Sequence, residues 1–251
     1  MKKIRIIARL DINNDYVIKG KYLEGLRKVG KPNVLALEYF RQGIDEIIFL
    51  DAVASLYDRN SLIDIIRQAC KEVFVPITVG GGIKNIYDIK QALSAGADKV
   101  AINTQAVKKI DFIREAVETF GSQAIVGSVV AHWNNDHWEA YMDNAKHRTR
   151  KDAIKWAMEL EKAGVGELML SSMDKDGIKK GFDIDLVDEV TKAVQIPVIA
   201  GSGAGSPADM VAVCKETHCD GVAIASILHY KHFTIPEIKN ALAAEGIGVR
   251  L

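Results

Sequence analysis

Two glycine-bearing segments carry the strongest chemical signal in the chain. Val75-Pro-Ile-Thr-Val-Gly-Gly-Gly-Ile83 recurs as Ile196-Pro-Val-Ile-Ala-Gly-Ser-Gly-Ala204, about 121 residues later. Each is an apolar run ending in glycines, and glycine lets backbone amides approach an anion closely. Gly81 and Gly82 are joined by Asn103 and Thr104, which end the next apolar run. Ser202 and Gly203 are joined in the same way by Ala225 and Ser226. A helix that follows such a turn adds the positive end of its dipole. The two segments read as phosphate grips, and a bisphosphate ligand is expected to span them. A tight turn alone would explain either cluster taken singly; its recurrence favours phosphate.

Carboxylates at the ends of apolar runs are the second signal. Asp11 follows Ile4–Leu10, with Lys19 on the loop beyond it, and Asp51 closes the second run. Ser171, Asp174 and Asp176 follow a later run, with Gly177 to turn the chain. Asp11 leaves an apolar strand for a partly desolvated environment and is the candidate general acid or base; the alternative is a helix or turn cap. Asp176 before Gly177 is also a common turn pair, so both a ligand contact and a turn stay open. The repeat places a partner for Asp11 near Val130, which is apolar. His132 is the nearest ionisable group, expected beyond the strand end as a surface loop residue. No Ser-His-Asp or Cys-His arrangement is legible, so covalent catalysis is not suggested. No cofactor and no metal are expected: Cys214, Cys219 and His218 make too sparse a set for zinc. With Cys70 they read as reduced thiols of a cytoplasmic protein.

The elements that position these groups follow from hydrophobic patterning. Eight short apolar runs occur: Ile4–Leu10, Glu46–Leu50, Pro76–Val79, Lys99–Ile102, Ala124–Val130, Glu167–Leu170, Pro197–Ala200 and Gly221–Ala225. None alternates cleanly, as suits strands buried on both faces. Amphipathic stretches lie between them, among them Val34–Gln42, Ile86–Ala95 and Lys151–Ala163, each followed by the glycine that commonly stops a helix. Eight βα units in 251 residues predict an α/β fold, a closed (β/α)8 barrel of two similar halves, as one domain over 1–251. A doubly wound open sheet is the alternative. In a barrel the ends of the strands named above face the mouth, where catalytic groups sit, and the loops after strands seven and eight are a habitual phosphate site. The chain has 33 basic and 33 acidic residues. That balance argues against a nucleic-acid or membrane-surface protein. Arg5 and Arg9 interrupt the first apolar run, which is therefore expected to be neither a signal peptide nor a membrane span.

Over essentially its whole length the chain resembles the cyclase subunit of imidazole glycerol phosphate synthase. The resemblance rests on Leu10-Asp11, Val17-Ile18-Lys19-Gly20, Phe49-Leu50-Asp51, Thr78-Val-Gly-Gly-Gly-Ile83, Gly96-Ala-Asp-Lys-Val100, Ile102-Asn103 and Phe120-Gly-Ser-Gln123. It continues through Ser172-Met-Asp-Lys-Asp-Gly177, Ala225-Ser226-Ile-Leu-His-Tyr230 and Val249-Arg-Leu251. It implies a glutaminase partner, ammonia, and a phosphoribulosyl bisphosphate-type substrate. It also implies an ammonia gate at Arg5, Glu46, Lys99 and Glu167, docking of the glutaminase at Asp98 and Gln123, and substrate contacts by Lys19, Asp51, Ser171 and Asp176. A structural salt-bridge cluster is the alternative for the four charges.

The sequence departs from that family at several points. The second of two catalytic aspartates falls on Val130. Ser171 replaces a threonine, and Gly201-Ser202 reverses the expected Ser-Gly order. The loop Lys21-Tyr22-Leu23-Glu24-Gly25-Leu26-Arg27 resembles that of a paralogous subfamily linked to acetamidino groups on bacterial surface sugars. Three functions are therefore weighed: a cyclase subunit with impaired chemistry, an ammonia-delivering subunit for sugar amidination, and an inactive scaffold for a glutaminase. A half-barrel isomerase relative fits the repeat but not the floor charges or Arg250-Leu251.

Overall fold

The computed structural model describes residues 2–21, 24–52 and 61–251. Tyr22 and Leu23, quoted above in the loop, lie outside them. The described chain begins with β1 (Arg5–Asn13), β2 (Tyr16–Lys21), β3 (Glu24–Gly30), α1 (Pro32–Arg41), β4 (Glu46–Asp51) and α2 (Ser61–Ala69). It continues with β5 (Ile77–Gly80), α3 (Ile86–Ser94), β6 (Lys99–Ile102), α4 (Thr104–Lys108) and α5 (Ile110–Phe120). Next come β7 (Ile125–Trp133), β8 (Trp138–Met142), β9 (His147–Asp152), α6 (Ala153–Lys162), β10 (Glu167–Ser172) and α7 (Ile184–Ala193). The last elements are β11 (Val198–Gly201), α8 (Pro207–Glu216), β12 (Gly221–Ile224), α9 (Ser226–His229) and α10 (Ile235–Ala244).

Eight of these strands close into a parallel barrel. In order around the ring they are β1, β4, β5, β6, β7, β10, β11 and β12, and β12 pairs back onto β1. Each matches one of the eight apolar runs, so the open-sheet alternative is excluded. The strands are apolar on both faces because both are buried. Ile7, Ile48, Ala101, Val126, Met169, Ile199 and Ala223 form an apolar ring inside the barrel. Ile6, Ala8, Ile47, Phe49, Leu168 and Val222 point outward into the larger core under the helices.

Four antiparallel strands extend the barrel and were not foreseen. β1 runs on into β2 and β3, and β7 runs on into β8 and β9. Two expectations are corrected by this. The fifth strand does not stop near Val130 but continues to Trp133, pairing His132 with Glu139 and Trp133 with Trp138. The helix expected from Lys151 begins at Ala153, because His147–Asp152 pairs with β8 and Asp152 caps the helix through the Lys155 amide. The other ends follow local chemistry. Pro32 opens α1, Asn85 and Asp88 form a capping box on α3, and Gly43 and Gly96 follow helix ends with positive φ.

Candidate active site

Asp11 sits inside the barrel mouth on β1 and is buried. Its Oδ1 accepts from Arg9 Nε at 2.8 Å, and its Oδ2 lies 3.4 Å from Lys19 Nζ. Lys19, on β2, also donates to Asp176 Oδ1 at 2.9 Å. Arg9 Nη1 donates to Ser171 Oγ on β10 at 2.8 Å. These five residues form one continuous polar chain across the mouth. Burial alone would raise the Asp11 carboxyl, but the positive charges of Arg9 and Lys19 outweigh it and hold it below the usual carboxylate range. Both of its oxygens are engaged, one by Arg9 and one by Lys19. Asp176 is buried against Lys19 rather than decorating an exposed turn.

The two glycine segments face this chain from either side. A cavity of about 280 Å³ is lined by Asp51, Gly81, Gly82, Asn103, Thr104 and Ser128, with Arg9, Asp11, Val130 and Ser171 along its inner wall. Gly81 has φ 92°, and a Cβ there would meet the Asp51 carbonyl oxygen at 2.2 Å. The Asn103 amide is spent locally, donating to the Ser128 and Tyr141 carbonyls at 2.9 and 3.1 Å. Thr104 Oγ1 accepts from the Asp143 amide at 2.9 Å. Those two side chains fasten β6 to the β7–β8 extension, and Lys84, Gln105, Lys108 and Asn144 line the same cavity.

On the other side, Gly177, Ser202, Gly203, Ala225 and Ser226 line a narrow cavity with Arg9, Lys19 and Asp176. Ser202 has φ 75°, a conformation that favours glycine, and Gly203 has φ 103° with the Gly181 carbonyl oxygen 2.1 Å from where a Cβ would stand. Ser202 Oγ is buried without a hydrogen-bond partner among the described residues, and Ser202 lines this cavity. The mouth widens here into a cavity of about 610 Å³ carrying Lys19, Arg27, Lys179, Gly177 and Ser226. Among the described residues its lining carries three cations and no carboxylate, which suits an anion. The helices α4 and α9 that follow the grips are single turns of five and four residues. The glycine turns themselves lead into the longer helices α3 and α8, of nine and ten residues.

At the opposite end of the barrel, Arg5, Glu46, Lys99 and Glu167 begin β1, β4, β6 and β10. Arg5 bridges Glu46 at 2.9 Å and Glu167 at 2.5 Å, and Lys99 bridges Glu167 at 2.8 Å and Glu46 at 3.8 Å. The four charges thus form a closed ring across the barrel floor. Nearby, Asp98 and Gln123 are exposed. Asp98 also accepts from the Ile77 amide at 2.8 Å, so part of its role is to fasten β5.

A family model described as histidine biosynthesis protein matches residues 5–234. The chain belongs to the histidine biosynthesis protein family. It is 44% identical over 247 residues to imidazole glycerol phosphate synthase subunit HisF of Thermococcus onnurineus (strain NA1), covering 98% of each chain. It is 43% identical over 265 residues to the same subunit of Methanopyrus kandleri, covering 98% of this chain and 97% of that one. The HisF subunit of Dehalococcoides mccartyi (strain ATCC BAA-2100) is 42% identical over 247 residues, again covering 98% of each.

Four residues of this histidine-biosynthesis barrel escaped the sequence reading. Arg9 registered only as an interruption of an apolar run, yet it is the central cation of the mouth. Its inward direction was available from the period-two spacing Arg5, Ile7, Arg9, Asp11. His229 is buried beneath it, with Nε2 3.1 Å from the Arg9 carbonyl and Nδ1 2.7 Å from Tyr39 Oη. A carbonyl can only accept, so Nε2 carries the proton and Tyr39 donates to Nδ1. Burial lowers the His229 pKa to about 4, keeping the ring neutral. Arg27 and Lys179 come from the β3 strand and the loop after β10, which no local motif marks. His132, in turn, is no isolated loop residue: its Nδ1 lies 2.7 Å from Asp174.

Proposed function

We propose that this chain is a HisF-type barrel subunit that holds a phosphoribulosyl bisphosphate-class ligand across its mouth and receives ammonia from a glutaminase docked on its floor. The observation that carries this is the pair of glycine-lined cavities on either side of one polar chain, each with amide, hydroxyl or cationic donors. The family resemblance supplies the reaction, cyclisation to imidazole glycerol phosphate, and the named relatives are subunits of that synthase. The roles read from the resemblance go with it. Lys19, Asp51, Ser171 and Asp176 contact substrate, Arg5, Glu46, Lys99 and Glu167 gate ammonia, and Asp98 and Gln123 meet the glutaminase.

In this reading the cyclisation is impaired. Val130, where a second carboxylate is expected, lines the same cavity as Asp11 and cannot carry a proton. Loss of one acid–base role typically removes about 10²–10⁴-fold in rate. The ion pair between Arg9 and Asp11 also favours the second reading, an ammonia-delivering subunit for sugar amidination, because it spends the remaining carboxylate. Titrating the chain with inorganic phosphate by calorimetry tests the grips: two sites are expected, and no binding would contradict the proposal. For the floor, Asp98→Ala is expected to weaken the complex with a glutaminase of the synthase at least about tenfold, the loss of one good interfacial contact. Unchanged affinity in a folded variant would remove Asp98 from the docking face.

A further inference from the structure

Arg9 holds a place that no other residue of the mouth holds. The cavity at Gly82 and Asn103 and the narrow cavity at Ser202 and Ser226 share one lining residue among those described, and it is Arg9. Its side chain leaves β1 inside the barrel and reaches Ser171 on β10, with β12 and β11 intervening in the ring. It therefore crosses the interior rather than following the wall. Ile7, Ala101, Met169 and Ala223 of the apolar ring lie on the floor side of it. The backbone beneath is anchored by the neutral His229 ring on the Arg9 carbonyl. A guanidinium held this way is a rigid, permanently charged fork of donors, and its partner carboxylate Asp11 is shared with Lys19. Any ligand that reaches from one cavity to the other must pass against it.

We propose that Arg9 is a specificity-determining residue that reads the middle of the ligand, selecting phosphorylated compounds whose two ends are joined by a segment rich in carbonyl or hydroxyl oxygens over those joined by hydrocarbon. The proposal rests on the two-grip reading above. Its chemistry is that of a buried donor. A linker bearing oxygens supplies acceptors in place of the water it displaces, whereas a hydrocarbon linker desolvates the guanidinium without replacing those bonds. The same geometry assigns Asp11 to holding Arg9 in place.

The test is isothermal titration of the whole chain with three probes: inorganic phosphate, fructose 1,6-bisphosphate and 1,6-hexanediol bisphosphate. The unmodified chain is expected to prefer the sugar bisphosphate over the alkane by at least about tenfold, the scale of one charged hydrogen bond. Arg9→Met is expected to reduce that preference below about threefold, by weakening the sugar compound more than the alkane compound. Arg9→Lys keeps the charge without the fork and is expected to fall between. It carries the test if Arg9→Met does not fold. A preference retained in the variants, or absent from a chain that binds inorganic phosphate, overturns the role of Arg9. Failure of the unmodified chain to bind inorganic phosphate overturns the two-grip reading, and the proposal with it.

Discussion

At the scale of single residues, the mouth is governed by how its charges are paired. His229 is buried neutral, with its pKa lowered from 6.5 to about 4. Between those values the unfolded chain binds a proton that the folded chain does not, so stability rises with pH across that window and is lost as pH falls through it. The full difference amounts to roughly 3 kcal/mol at most. Asp11 adds a separate loss only below its ordinary value of 3.8, since its folded pKa is depressed. Urea midpoints at pH 7 and pH 5 are expected to differ clearly for the unmodified chain and to converge in His229→Gln. An equal pH dependence in both would contradict the neutral imidazole. Ser202 offers a second residue-scale test. Its positive φ favours glycine, while its hydroxyl is the unpartnered donor of the second cavity. Ser202→Gly is expected to leave stability unchanged or raise it by less than about 1 kcal/mol. Phosphate affinity is expected to fall about tenfold or more, as a hydrogen bond to a charged group is lost. A variant that binds phosphate as before would remove the hydroxyl from the grip.

At the scale of elements, the eight barrel strands and their glycine-ended turns could be read directly, because burial on both faces leaves a continuous apolar run and a close backbone approach demands glycine. Gly81 and Gly203 show the second point: each would place a Cβ within 2.2 Å of a carbonyl oxygen. Strands β2, β3, β8 and β9 were not legible. β9, His147-Arg-Thr-Arg-Lys-Asp152, is polar and largely exposed, whereas β2 and β8 are short and partly buried; all four pair on the edges that β1 and β7 offer by projecting beyond the barrel. The same limit hid Arg27, which rides on one of these extensions into the cationic cavity. Arg9 was hidden differently: its spacing from Asp11 put both on the inner face, but nothing local marks its reach to Ser171 on β10. The floor ring is an element-scale device as well, joining the starts of four strands. Arg5→Ala would leave Glu46 and Glu167 sharing Lys99 alone. Breaking a buried pair costs about 3–5 kcal/mol, but Arg5 is a quarter exposed, so a loss of about 1–3 kcal/mol is expected in urea unfolding. Unaltered stability would show the ring to be effectively solvated.

At the scale of the whole molecule, the barrel separates two tasks by distance along its axis. Charges at the strand starts face one surface, donors at the strand ends face the other, and an apolar ring lies between them. No helix among the described residues is long and apolar enough to cross a membrane. We propose that this mouth binds phosphorylated ligand but lacks the pair of proton-transferring carboxylates that cyclisation needs. The most direct measurement is steady-state turnover of the phosphoribulosyl substrate of imidazole glycerol phosphate synthase with added ammonium salt. It should be run on this chain and on one of the HisF relatives under the same conditions, with phosphate binding measured alongside. Phosphate is expected to bind while turnover lies about 10²–10⁴-fold below that of the relative. Turnover equal to the relative's in the unmodified chain would contradict it, and would show that another group in the mouth has taken up the role that Val130 cannot fill.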